Sequence, residues 1–136
     1  LTLNPFYFCI DNFEKENIAL VESPFSVIAG KILDVIPKCC YVSTLGKSNT
    51  KRIYDELKNF LPEKNFYIIP DKDNVLFFVQ KYHDFVGSCL ILFKDYYGND
   101  IFDFLSTNNK VEIIPIQIIN GLQVKVEFLN YLNKKC

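Results

Sequence analysis

Asn65-Phe66-Tyr67-Ile68-Ile69-Pro70-Asp71-Lys72-Asp73-Asn74 decides how the rest of the chain is read. The apolar run Phe66 to Ile69 predicts a strand buried on both faces, and two carboxylates one residue apart, Asp71 and Asp73, stand where that strand must end. Residues at the carboxyl ends of parallel strands border the crevice in which open α/β sheets bind ligands. From one loop both carboxylates can reach a single hard divalent cation, and Mg²⁺ is held by one or two carboxylates together with substrate phosphates. The competing reading of Asp-x-Asp ahead of a helix is a solvated turn with an N-cap.

Working outward, strand and helix patterns alternate. Ile18 to Val21 is a strand, and Ser23-Pro24 opens a helix with the apolar stripe Phe25, Ile28, Ala29, Ile32, Leu33 and Ile36, leaving Glu22 at the junction. Cys39 to Val42 forms another strand, and Ser48 is placed to cap a helix carrying Ile53, Leu57, Phe60 and Leu61 on one face. A third helix is expected from Val75, with Val75, Phe78, Val79, Tyr82 and Val86 on one face, and Gly87 ends it. Ser88 to Phe93 is a fourth buried strand, followed by the acidic loop 94–100 and a short helical stretch from Ile101 to Leu105. Pro5 to Ile10 reads as an edge or entry strand ahead of all of these.

Strands alternating with helices of 10–14 residues predict βαβ units and a mainly parallel sheet of about four strands flanked by helices, an α/β fold. The tail differs. Val111 to Ile119 and Leu122 to Phe128 flank Asn120-Gly121, the dipeptide of a two-residue turn, and predict a C-terminal β-hairpin with Pro115 at an edge or bulge. The expected organisation is an N-terminal strand and turn over 1–17, a core over 18–106, and a hairpin and tail over 107–136, all in one compact domain.

With 136 residues, 49% of them hydrophobic, the chain can fill a real core, and its net charge of −1 argues against a standing basic surface for duplex binding. Five cysteines without a CxxC pair, and a single histidine, His83, fit a reducing compartment and argue against a zinc site. No apolar run reaches a membrane span, so the expected location is cytoplasmic with no membrane partner. The chain starts at Leu1 and contains no methionine, which reads as a piece of a longer polypeptide.

In a parallel sheet Glu22, Ser43 to Gly46, Asp71 to Asp73 and Asp95 to Asp100 all fall on one edge. A carboxylate on one strand end facing two on another is the arrangement that holds Mg²⁺ over a phosphodiester and supplies a general acid or base. Glu22 could equally serve only to favour the following helix N-terminus. Lys47 and Lys72, beside this edge, are candidates for contacts to a nucleic-acid backbone, as solvated lysines also are. Gly46-Lys47-Ser48 lacks the earlier glycine of a P-loop, since Tyr41 stands in its place. Tyr96 and Tyr97 are candidates for core, lid or base stacking.

Four blocks in order, Val21-Glu22-Ser23-Pro24-Phe25, Ser43 to Thr50, Ile69-Pro70-Asp71-Lys72-Asp73-Asn74 and Gly98 to Leu105, resemble the Toprim domain. That family includes DnaG-type primases, topoisomerases, OLD-type nucleases, small ribosomal-RNA maturases and RecR-type recombination proteins. The resemblance spans about Ile18 to Leu105 and is nearest the primase-like domains of phage and mobile elements. It implies a Toprim-like fold, Glu22 as general acid or base, Asp71 and Asp73 as ligands of Mg²⁺ or Mn²⁺, and Asp100 as an accessory acid near the same site. It further implies a primase-like nucleotidyltransferase acting on DNA or RNA, alongside other domains of a primase or helicase polypeptide. A Toprim nuclease and a non-catalytic DNA-binding or assembly module are the alternatives. The sequence departs from the family pattern at Ser23, where a glycine is common, at Ser26, where primases carry an aspartate, and at Asn74-Val75-Leu76, where a glycine often stands.

Overall fold

The computed structural model describes residues 2–4 and 7–135, with side chains over 8–134; Pro5 and Phe6 of the expected first strand, and Cys136, lie outside the described residues. Among the described residues seven strands form one sheet: β1 (Thr2–Asn4), β2 (Tyr7–Cys9), β3 (Asn17–Val21), β4 (Cys39–Ser43), β5 (Asn65–Ile68), β6 (Cys89–Phe93) and β7 (Ile113–Gln117). Their order is β1-β2-β4-β3-β5-β6-β7. The inner four, β4-β3-β5-β6, are parallel, whereas β7 and the β1-β2 pair add antiparallel edges. The four parallel strands expected from the sequence are all present. The short β1 beyond β2 was not foreseen, so β2 is not the edge. Pro115 sits in β7 opposite Ile91, on the outermost strand, where its missing N–H breaks no ladder.

Helices cover both faces. α1 (Pro24–Leu33) lies on one face with a 3-10 turn, Ile101–Ser106; α2 (Thr50–Phe60), α3 (Val75–Gln80) and α4 (Gly121–Lys135) lie on the other. Strand residues alternate accordingly: Ile18, Leu20, Cys40, Val42, Phe66, Ile68, Leu90 and Leu92 point to the three-helix side, and Ala19, Val21, Cys39, Tyr41, Ile91 and Phe93 to the other. This double burial explains the near-continuous apolar runs of the inner strands. Among the described residues no helix is long and apolar enough to cross a membrane.

Four local expectations are corrected. The expected C-terminal hairpin is instead a strand followed by the 15-residue α4. Asn120 makes no turn; its side chain accepts the Gln123 N–H at 2.9 Å as an N-cap, and a Cβ at Gly121 would collide with the Tyr82 ring. Asn-Gly thus starts a helix that buries Val124 and Tyr131, and tertiary burial outweighs the local turn preference. The expected third helix stops at Gln80 and continues as a 3-10 turn, Tyr82–Phe85, leaving Val86 exposed. Ser48 caps nothing, because it lies inside a 3-10 turn, Lys47–Asn49, ahead of α2.

The fourth correction concerns α1. Its large residues Phe25 and Ile32 are 61% and 64% exposed, and the face turned inward is Ser26, Val27, Ala29 and Gly30. The reason is a close helix-to-sheet approach. A Cβ at Gly30 would stand 2.6 Å from the Tyr41 ring. That ring cannot retreat, because its hydroxyl accepts the Ile36 N–H at 2.8 Å and donates to the Ile36 carbonyl at 3.0 Å. Gly30→Ala is therefore expected to destabilise the fold by about 1–3 kcal/mol, overpacking outweighing the better helix propensity of alanine. Thermal melting checks this, and an unchanged or higher melting temperature would remove the tight α1–β4 contact.

Candidate functional site

β3 is followed by α1 on one face and leads to β4 on one side of it; after α2 crosses the opposite face, the chain returns to β5 on the other side of β3. The direction of winding reverses between β3 and β5, and at such a switch point the two outgoing segments diverge and leave a crevice beyond the strand ends. Glu22 is the first residue after β3, and Asp71 to Asn74 form the turn after β5. Backbone bonds extend the ladder into this region, with Ile69 N–H on Leu20 O at 2.9 Å and Thr44 N–H on Val21 O at 2.8 Å.

Glu22 is 8% exposed. Its Oε2 accepts the Asp71 backbone N–H and its Oε1 accepts the Asn74 side-chain amide, both at 2.6 Å. The carboxylate therefore clasps the β5–α3 turn from the neighbouring strand. Ser43 supports it from the third side, its hydroxyl donating to the Glu22 carbonyl at 2.9 Å and accepting the Leu45 N–H at 3.1 Å. Burial raises the Glu22 pKa above the ordinary carboxylate value, the two hydrogen bonds oppose that rise, the Asp73 charge adds to it, and the Lys47 cation lowers it.

Asp71 is the most perturbed of the described carboxylates. Burial, then the charges of Glu22, Asp100, Asp73 and Asp103, push it up to about 7. Asp73 is exposed, and its backbone N–H donates to Asn99 Oδ1 at 3.1 Å. The Lys72 N–H donates to the Asn99 carbonyl at 2.7 Å, so the loop after β6 is laced to the turn after β5 through one asparagine.

Asp100 caps the 3-10 turn Ile101–Ser106 reciprocally with Asp103: Asp103 N–H donates to Asp100 Oδ1 at 3.2 Å, and Asp100 N–H to Asp103 Oδ2 at 3.0 Å. Burial and the neighbouring Asp103 charge raise Asp100, whereas donation from the Asp100 and Asn99 N–H groups lowers Asp103. Lys47 reaches back to this edge with its Nζ 5.1 Å from the Phe77 ring centroid. Lys72 is exposed on the turn itself. The structure thus brings Glu22, Asp71, Asp73 and Asp100 to one edge, with Lys47 and Lys72 beside them. His83 stays outside, exposed and 3.5 Å from Asp84.

Comparison with family models, with curated proteins and with solved structures finds no match for the chain.

Among the described residues no three His, Cys, Asp or Glu side chains form a group able to hold an ion by themselves. Asp71 and Asp73 stand one residue apart at the β5–α3 turn, and Mg²⁺ needs only one or two carboxylates when phosphate oxygens and water fill the remaining positions. Asp71, crowded by like charges, and the exposed Asp73 are the residues that would hold it. Asp100 is engaged as a cap and contributes its charge. Sequence reasoning missed Asn74 and Asn99. Both are polar residues in loops at the correct strand ends, but nothing in their spacing shows that one braces Glu22 and the other ties two loops together. Ser26 is 1% exposed; its hydroxyl accepts the Ser23 hydroxyl at 3.3 Å and its N–H donates to Ser23 Oγ at 3.2 Å in the N-cap of α1.

Proposed function

We propose that the chain is a Toprim-like domain that performs Mg²⁺- or Mn²⁺-dependent phosphodiester chemistry on DNA or RNA, with primase-like nucleotide addition as the leading activity and strand cleavage as the runner-up. The observation that carries this reading is the placing of Asp71 with Glu22, Asp73 and Asp100 at the switch point of the parallel sheet, where burial first and then the neighbouring carboxylates push the Asp71 carboxyl up to about 7. A dense negative site of this kind repels a phosphodiester unless a cation intervenes. When bound, the cation would neutralise charge on the transferring phosphoryl group and orient the attacking oxygen.

The chain's own residues have distinct parts in this reading. Asp71 and Asp73 present carboxylates from the β5–α3 turn. Glu22 fixes that turn and lies within electrostatic reach of Asp71, so it can take or return a proton once a substrate loosens one of its two bonds. Lys47 and Lys72 offer positive charge to the strand's phosphates. Other domains of a longer primase or helicase polypeptide would supply the remaining contacts to template.

One observation favours a non-catalytic module instead: both Glu22 oxygens are already engaged within the fold. The test is to incubate the protein with single-stranded template, ribonucleotides and Mg²⁺, and separately with end-labelled DNA and RNA strands. Metal-dependent products absent in Asp71→Ala/Asp73→Ala are expected. Elongated strands identify the primase-like activity and shortened ones the nuclease. If the wild type yields neither, the chain is a module that does no chemistry.

A further inference from the structure

Beside the acidic turn a cavity of about 250 Å³ opens between the start of α3 and the inner face of α4. Its lining changes in character. Lys72 and Asp73 are charged and belong to the same turn as Asp71, while Leu76, Tyr96, Phe128 and Leu132 are apolar or aromatic. The aromatic walls are held in place: the Phe128 and Tyr131 rings lie 6.3 Å apart and within 24° of parallel, the Tyr131 hydroxyl donates to the Phe93 carbonyl at 2.6 Å, and Tyr96 meets Phe93 edge to face at 5.3 Å. Pockets for drug-sized ligands start near about 300 Å³, so this one has room for a single ring system and little more.

We propose that this cavity is the base subsite of the acidic site and takes the planar ring of a nucleotide whose phosphate lies toward Lys72 and the Asp71–Asp73 turn. The inference rests on the nucleic-acid reading above and specifies its ligand. Aromatic walls receive any base through its π-face and so confer little sequence preference. Because α4 supplies Phe128, Tyr131 and Leu132, the C-terminal helix becomes part of the binding site as well as a cover for the sheet.

The probes are 2-aminopurine ribonucleoside triphosphate, and a single-stranded oligonucleotide ending in 2-aminopurine at its 3′ end, each titrated with Mg²⁺ present and followed by base fluorescence. Saturable quenching is expected from at least one, and the one that quenches identifies the ligand as a free nucleotide or a strand terminus. Leu76→Glu and Leu132→Glu, both at exposed positions, set a carboxylate on opposite walls of the cavity against an anionic ligand and are expected to weaken quenching at least about tenfold. Circular dichroism confirms that each variant is folded. Quenching by neither probe, or quenching unchanged in both folded variants, overturns the subsite. Ribose 5-phosphate, which lacks the ring, is expected to compete poorly, and equal competition also overturns it. Failure of the metal reading looks different: Asp71→Ala/Asp73→Ala would then leave divalent-ion binding unchanged whatever happens to base quenching.

Discussion

Glu22→Ala is expected to cost about 2–3 kcal/mol of folding stability, whereas Glu22→Gln stays within about 1 kcal/mol of the wild type. Alanine strips the acceptors from the Asp71 N–H and the Asn74 amide at a position only 8% exposed, and leaves the β5–α3 turn without its clasp. Glutamine behaves otherwise. Its one oxygen can keep the Asp71 N–H, and Asn74 can turn its amide over to accept from the new NH₂ group. The desolvated charge that raises the Glu22 pKa also disappears, which offsets the loss of charge-assisted bonding. Urea melts of the two variants measure the difference, and equal destabilisation would mean that Glu22 does not brace the turn. The glutamine variant therefore separates structure from chemistry. If it folds as the wild type and loses the metal-dependent activity, Glu22 is a proton-transfer residue rather than only a brace.

Asp71→Asn is expected to stabilise the metal-free protein at pH 8 by about 1–2 kcal/mol, after solvent screening of a half-buried group, and to abolish stabilisation by Mg²⁺. The sign follows from the protons. Asp71 is raised from 3.8 in the free side chain to about 7 in the fold, so between those pH values the folded protein retains a proton that the unfolded chain has released. Stability is fully present below about pH 4, falls as pH rises toward 7, and levels off above it. Glu22 and Asp100, also raised, act in the same direction. Wild type should thus melt lower at pH 8 than at pH 5 without divalent ions, Mg²⁺ should restore more at pH 8 than at pH 5, and asparagine should flatten both responses. A wild-type melting temperature that does not fall between pH 5 and pH 8 would falsify the crowded-carboxylate site.

The errors of the sequence reading share one cause. In α1 the stripe Phe25, Ile28 and Ile32 has the spacing of a buried face, but the tight approach of Gly30 to Tyr41 leaves no room for large side chains there. At Asn120-Gly121 the local signal for a turn was strong, yet capping a helix that buries Val124 and Tyr131 removes more apolar surface from water than a solvated hairpin arm would. Local pattern reports what a segment can do. Which option is taken depends on the surface it meets.

The sequence by itself determined the four inner strands, their parallel direction and the placing of Glu22, Asp71, Asp73 and Asp100 at one edge, because doubly buried strands must be apolar along their length and acidic residues can stand only where those runs end. Only the tertiary structure decided that Glu22 and the 71–74 turn are bonded to each other, that Asn99 ties the loop after β6 to that turn, and that the C-terminal segment is a helix walling a cavity. Those facts depend on distances between residues far apart in the chain, and such distances are fixed by the packing of helices on the sheet, which no local spacing encodes.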